Sequence, residues 1–381
     1  MSSSEIIAVV AVVMLVGLAA LLAAAETSLT HLPSARVQAL ADEGQKGAEA
    51  LARMLDRRER VLNPVLFVVL LCHLVAASLV VAPDFLSAEL RDGRLNGGLI
   101  DVLNRGAPVA LLAIGMTLVI ATRGIDLSVG SVMAIAGATA AAAVNAGQGW
   151  QIAVALGLGA GLACGLWNGL LVALLRIQPF VATLILMVAG RGIAQLITEG
   201  QILTFTDPSL AAIGSGTLLA LPAPVVIAAG AALVSVILFR LTALGLFVEA
   251  IGVNARASRL AGVSTRAVTV AVYAWSGLMA GLAGVIVAAD IRGADANNAG
   301  LWLELDAILA AVIGGAALTG GRFSIALALV GAFIIQALKT AVLRAGFPPE
   351  LNLILMAGAV LVIIVAQSPA IGDALRKARP R

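Results

Sequence analysis

The chain has 381 residues, 61% of them hydrophobic and 12% charged, with a formal net charge of +3. A mean hydropathy of +1.06 exceeds what a soluble core of this length requires, which excludes an ordinary soluble domain and points to a multi-pass membrane protein. The basic excess lies in loops between apolar runs and gives no reason to expect nucleic-acid binding.

In chain order, apolar runs at 5–25, 65–82, 106–122, 127–145, 151–175, 179–198, 223–240, 267–289, 303–319, 323–343 and 351–368 read as about eleven membrane spans. Each is near the length of about 20 residues that crosses a hydrocarbon core of roughly 30 Å. The expected fold is all-α and polytopic. The first run is not a signal peptide by pattern: Glu5 is its only charge, and Ala23-Ala24-Ala25 continues into Glu26. The stretch Glu26–Asn63 reads as helical. Leu29, Leu32, Val37, Leu40, Leu51, Met54 and Leu55 oppose Arg53, Arg57, Arg58 and Arg60, which suits contact with anionic lipid headgroups. Forty glycines suit helices packed through small faces. Cys72 and Cys164 lie far apart in apolar runs and read as small buried hydrophobes rather than a disulfide.

Several polar residues interrupt this pattern. Gly124-Ile-Asp-Leu-Ser-Val-Gly130 places Asp126 and Ser128 at a break between two runs. Two readings stand side by side: an unwound helix whose freed groups line a polar path or gate, or a simple cap on the following helix. Asp290, Asn297 and Asn298 crowd an outer loop, either to contact a solute or binding protein or merely as solvated side chains. Glu304 and Asp306 lie near the outer end of a span, and Arg191 sits between two glycines in another. Charges in a bilayer face the bundle interior and find partners, so Arg191 serves either the solute path or a structural pair. Asn168 is a further candidate for the path. Ile125-Asp-Leu-Ser and Leu305-Asp-Ala-Ile share an Asp ahead of a small-residue helix, an internal likeness too slight to carry an argument.

Between Arg240 and Arg266 lies a charged island, Glu249-Ala-Ile-Gly-Val-Asn-Ala-Arg-Ala-Ser-Arg-Leu-Ala-Gly262. It is expected to form a short helix over 249–261, stopped by Gly262. Such a helix suits docking on a soluble partner, although an ordinary loop fits the composition equally. With the island inside, alternation of the spans puts about 17 of the 24 Lys and Arg residues on the inner side. The expected topology is therefore N-terminus out and C-terminus in.

No G-x-x-x-x-G-K-[ST] occurs, so no loop to cradle phosphates and no expected site of ATP hydrolysis. Only His31 and His73 are present, without a carboxylate or cysteine cluster at metal-ligand spacing. No catalytic residues, metal or cofactor are expected, and the chain does not read as an enzyme.

From about residue 80 onward, the motifs are long. They include Asn104-Arg-Gly-Ala-Pro-Val-Ala-Leu-Leu-Ala-Ile-Gly-Met-Thr, Gly124-Ile-Asp-Leu-Ser-Val-Gly130, Trp167-Asn-Gly-Leu-Leu, Gln178-Pro-Phe-Val-Ala-Thr-Leu, Gly190-Arg-Gly192, the 249–262 island and Ala289-Asp-Ile-Arg-Gly-Ala-Asp-Ala-Asn-Asn-Ala-Gly300. In their order they resemble the permease subunit of bacterial sugar ABC importers, in the ribose/galactofuranose branch. Residues 289–308 resemble the galactofuranose permease most closely. The resemblance implies an inner-membrane protein, a separate ATPase, a periplasmic sugar-binding protein and a second permease copy or paralogue. It also implies a coupling helix carrying Glu249, Gly252, Asn254, Ala257, Ala261 and Gly262. Residues 1–80, through Ala25-Glu-Thr-Ser-Leu-Thr30 and Glu59-Arg-Val-Leu-Asn-Pro64, resemble instead the start of a CNNM/CorC-type, haemolysin-like membrane domain. The expected organisation is therefore a truncated segment over 1–64, a composite span at 65–82 and a permease domain over 83–381. The competing readings are a divalent-metal or ion transport protein and an inert membrane scaffold.

Overall fold

The computed structural model describes residues 93–344 continuously, residues 87–91, most of 34–52 with Leu21, and isolated positions from 346 to 358. The expected spans 65–82 and, but for isolated positions, 5–25 and 351–368 lie outside the described residues. The chain forms two compact units, Met1–Ser87 and Ala88–Arg381. In the first, helix α1 (Ser34–Asp42) buries Val37 and exposes Gln38 and Ala39.

The second unit opens with an antiparallel hairpin of β1 (Glu89–Arg91) and β2 (Arg94–Asn96). Helices α2 (Gly98–Ala121), α3 (Val129–Asn145), α4 (Trp150–Ala173) and α5 (Pro179–Ile197) follow. A connection then carries β3 (Ile202–Thr204), the short helix α6 (Pro208–Ser215) and a hairpin of β4 (Thr217–Leu218) and β5 (Leu221–Pro222). Next come α7 (Ala223–Arg240), α8 (Ala243–Leu260), α9 (Thr265–Asp290), β6 (Gly293–Asp295), α10 (Leu303–Ile313) and α11 (Ile325–Arg344). Among the described residues, α2, α4, α5, α7, α9 and α11 are long and apolar enough to cross a membrane, and α3 is a shorter apolar helix. The molecule is a mostly helical, multi-pass membrane protein.

Its centre is α2, buried at every residue from Gly106 to Ala121. A helix apolar all round must be enclosed by others. By contrast, α4, α5 and α7 leave Trp167, Leu170, Ile185, Val188, Leu233 and Ile237 exposed, an outward apolar surface suited to lipid rather than water. The tightest seam joins α4 to α9. Gly157, Gly161, Gly165 and Gly169 recur at every fourth position and so share one helix face. A side chain at Gly161 would strike the backbone of Gly277 and Gly281, and one at Gly165 the backbone of Tyr273 and Gly277. Gly157 meets Val285 while Gly169 meets Val270, so the two helices run antiparallel. With no hydrophobic drive between helices in lipid, this close backbone approach supplies the van der Waals contact that holds them together.

Three sequence expectations change in detail. Helix α2 begins at Gly98, well before the expected 106. The expected 303–319 span is helical only to Ile313, because Gly314 and Gly315, the latter at φ 84°, turn the chain out. Eleven residues rise only about 16 Å, half a bilayer core. The island is not a free helix over 249–261. Helix α8 already starts at Ala243 and kinks at Asn254, where φ is −157° and ψ 96°.

Candidate functional site

Between α2 and α3 the chain unwinds. Thr122 ends α2, Arg123 takes the left-handed conformation at φ 66°, and helical geometry resumes at Val129. Asp126, 2% exposed, sits in this break. One carboxylate oxygen accepts from the Ser128 amide at 3.0 Å and the Ser128 hydroxyl at 2.6 Å; the other accepts from the Ser276 hydroxyl of α9 at 2.9 Å. Asn168 on α4 donates to Ser128 Oγ at 2.8 Å, and Thr183 on α5 donates to the Ile125 carbonyl at 3.1 Å. Asp126 orders the turn locally and centres a buried polar cluster to which α4, α5 and α9 each contribute one side chain. Ser276 is the twelfth residue of the 26-residue α9, so the cluster lies near the middle of that helix. Asn168 Oδ1 and the Tyr273 hydroxyl are buried without a partner, and such atoms call for a water or a ligand hydroxyl.

The second break mirrors the first. After α9 the chain forms β6, which pairs antiparallel with β3, and then returns into the helices before α10 starts. A side chain at Gly130, in the first turn of α3, would strike the Gly300 carbonyl and the Glu304 carboxylate; one at Gly300 would strike Gly130. The N-terminal ends of two short helices therefore meet head to head. Glu304, 6% exposed, lies where both helix dipoles favour a negative charge. Arg191 on α5 donates to the carbonyls of Ala296 and Ala299 at 2.9 and 2.7 Å and lies close enough to Glu304 to interact with its charge. It thus clasps the returning loop.

In the loop after α9, Asp295 accepts from the amides of Asn297 and Asn298 at 3.0 and 3.1 Å and from the Asn298 side chain at 2.8 Å. Partial burial works to raise the Asp295 carboxyl, but these hydrogen bonds and the Arg191 charge hold it below the ordinary carboxylate range. Asn297 bridges Gln195 at 2.7 Å and the Gly200 carbonyl at 3.3 Å. Asp290 stands apart from this site, at the end of α9 beside Gly214 of α6. Asp306, 3% exposed, pairs with Lys339 on α11. That pair joins α10 to α11, which accounts for a lysine inside an apolar run.

The end of the bundle where α2 meets α8 is a knot of backbone and one guanidinium. Arg123 Nε donates to the Gly252 carbonyl at 2.5 Å and its Nη2 to the Val253 carbonyl at 2.7 Å. The Gly321 amide donates to the Ala121 carbonyl at 2.8 Å. Gly252 is buried, and a side chain there would strike Ala121 and Gly321. Asn254 then caps a short terminal helix, accepting from the amides of Arg256 and Ala257, both at 3.0 Å. Ala257, Ala261 and Gly262 are exposed, and Gly262 takes φ 87° as the helix stop. Glu249 pairs with Arg240 at 3.4 Å, and Arg240 also lies over the Phe323 ring at 4.6 Å.

Sequence reasoning missed Arg123, Ser276, Tyr273 and Lys339. Two signals were available: Tyr273 is the single tyrosine of the chain, inside a span, and Arg123 directly precedes the Gly124-Ile-Asp break.

Residues 98–365 match the model of a permease family described as the branched-chain amino acid transport system permease component. The chain belongs to that permease family. The galactofuranose transporter permease protein of Escherichia coli is 60% identical over 314 residues, covering 82% of this chain and 92% of that protein. The fructose import permease protein of Bifidobacterium longum is 42% identical over 297 residues, 76% of this chain and 83% of that protein. The ribose import permease protein of E. coli is 37% identical over 274 residues, 71% and 85% of the two chains. Residues 10–149 are also similar to the cyclin M (CNNM) transmembrane N-terminal domain, overlapping the permease match at 98–149. No solved structure matches the chain significantly.

Proposed function

We propose that this chain is the transmembrane permease subunit of an ATP-driven sugar importer, with a galactofuranose-like furanose as its solute. It would receive sugar from a periplasmic binding protein, work with a second permease, and be driven by a separate ATPase. The observation that carries this reading is the 60% identity to a galactofuranose permease across nearly the whole of that protein. The head-to-head helix starts at Gly130 and Gly300 support it. In this reading unwound backbone, Asp126, Ser128, Asn168, Arg191 and Glu304 would lie toward mid-membrane, where transporters bind solute. Asn297 and Asn298 would shape the outer entrance, while Asp306 serves the α10–α11 contact. The α8 segment with Glu249, Gly252, Asn254, Ala257, Ala261 and Gly262 would couple the ATPase to the Arg123 knot. We place the N-terminus outside and the C-terminus inside, with about eleven spans, a CNNM-like segment over 1–64, a composite span at 65–82 and the permease over 83–381.

Reconstitution with the ATPase and binding protein tests the function. Galactofuranose-loaded binding protein should stimulate ATP hydrolysis and drive uptake of labelled galactofuranose that magnesium and cobalt leave unchanged. Metal-dependent flux without any ATPase would favour the rival reading suggested by the CNNM similarity over 10–149. For topology, cysteines placed at Gln201 and Asn297 should react with an impermeant reagent from the periplasm, and one at Ala257 only after the membrane is opened. Periplasmic labelling at position 257 would reverse the orientation.

A further inference from the structure

The end of the second unit that carries the Arg123 knot also holds a cavity of about 340 Å³ beside the α8 segment, to which the transport reading assigns no ligand. Its wall is formed by the 122–124 turn, the facing ends of α4 and α5, the kinked part of α8 and the start of α9. Arg176, Arg259 and Arg266 line it, and no acidic side chain does. None of these three arginines forms an ion pair or side-chain hydrogen bond with another described residue. The N-terminal ends of α5 at Pro179 and of α9 at Thr265 open onto the same space, adding the positive ends of two helix dipoles. Tyr273 also lines it, fully buried and with its hydroxyl unpartnered.

We propose that this cavity binds a phosphoryl group, carried by a phosphorylated monosaccharide or inorganic phosphate or presented by an anionic lipid headgroup. Guanidinium groups match phosphate oxygens through paired, charge-assisted hydrogen bonds. A cavity of this volume falls in the range that holds small ligands. Tyr273, whose hydroxyl is buried without a partner, forms part of the same wall. Occupancy ties the α8 segment to the turn that leads into Asp126, so a bound anion favours one conformation and slows import. That last consequence rests on the proposed transport function; the binding itself does not.

The test uses the purified full chain in nanodiscs of phosphatidylcholine, titrated calorimetrically with glucose 6-phosphate, inorganic phosphate and glucose. Saturable binding of both phosphates and none of glucose is expected. The double variant Arg176→Gln/Arg266→Gln should weaken it by about tenfold or more, since each charge-assisted bond is worth that order, while Arg176→Lys/Arg266→Lys retains part of it. Repeating the titration with phosphatidylglycerol in the nanodisc separates the sources: competition identifies a lipid headgroup, and unchanged affinity identifies a soluble phosphate. Absence of phosphate binding in phosphatidylcholine, together with no difference between wild type and the glutamine variant in phosphatidylglycerol binding, overturns the proposal. So does a glutamine variant that binds phosphate normally but no longer co-purifies with the ATPase, because the arginines would then be a protein dock. Neither ATPase nor sugar delivery enters the titration, so failure here is distinct from failure of the transport reading.

Discussion

Gly252→Leu is expected to lower uptake at least tenfold while the protein still inserts and still binds its ATPase. The Cβ of any replacement points into the Ala121 carbonyl and the Gly321 amide, and backbone on both sides cannot move aside as a side-chain end could. Opening this contact strains the Arg123 hydrogen bonds to Gly252 and Val253 and detaches α8 from the turn that leads to Asp126. The exposed residues beyond Asn254 keep their docking surface, so ATP hydrolysis should continue but lose its response to loaded binding protein. About tenfold corresponds to roughly 1.4 kcal/mol of lost coupling, a modest demand on a disrupted backbone contact. Gly262→Ala is the control. It has open space around it and only the left-handed backbone to strain, a cost of about 1 kcal/mol, so most uptake should survive. Equal, near-normal uptake by both variants would show that the knot transmits nothing.

Gly161→Leu is expected to abolish accumulation of folded protein. The substituted side chain would enter the backbone of Gly277 and Gly281 and force α4 away from α9 along the whole four-residue repeat. Overpacking a well-filled site costs about 1–3 kcal/mol when side chains can yield, and here backbone faces backbone. Gly159→Leu, two residues away on the same helix with nothing within 4 Å of its Cβ, should leave expression and melting temperature unchanged. Thermal melting of the detergent-purified variants separates the two cases. A Gly161→Leu protein as stable as the wild type would mean the seam is not a close contact.

What the linear pattern determined was set by solvent preference, which sums residue by residue. Apolar runs near 20 residues had to become helices, since only a helix satisfies its own backbone in lipid, and α4, α5, α7, α9 and α11 fall close to the runs read as spans. The motifs from Asn104 to Gly300 were long enough to carry the family. The break at Asp126 was visible because a carboxylate between glycines interrupts an apolar run wherever the chain lies.

Tertiary structure decided what depends on distance rather than composition. Beyond Asp306 the run 303–319 stays apolar as far as Leu318, whether it crosses a whole bilayer or, as in α10, stops at Ile313. Hydropathy is blind to that difference. The slight likeness between the stretches that begin at Ile125 and Leu305 gained meaning only when Gly130, in the first turn of α3, met Gly300, just ahead of α10. Lys339 was uninterpretable until α11 brought it to Asp306, because a buried charge is explained by its partner and not by its own neighbours in sequence. Gly252 and Gly262 were one pair of small residues in the charged island; the fold separates them, the first by what its missing side chain lets approach, the second by the left-handed turn that glycine adopts at least cost.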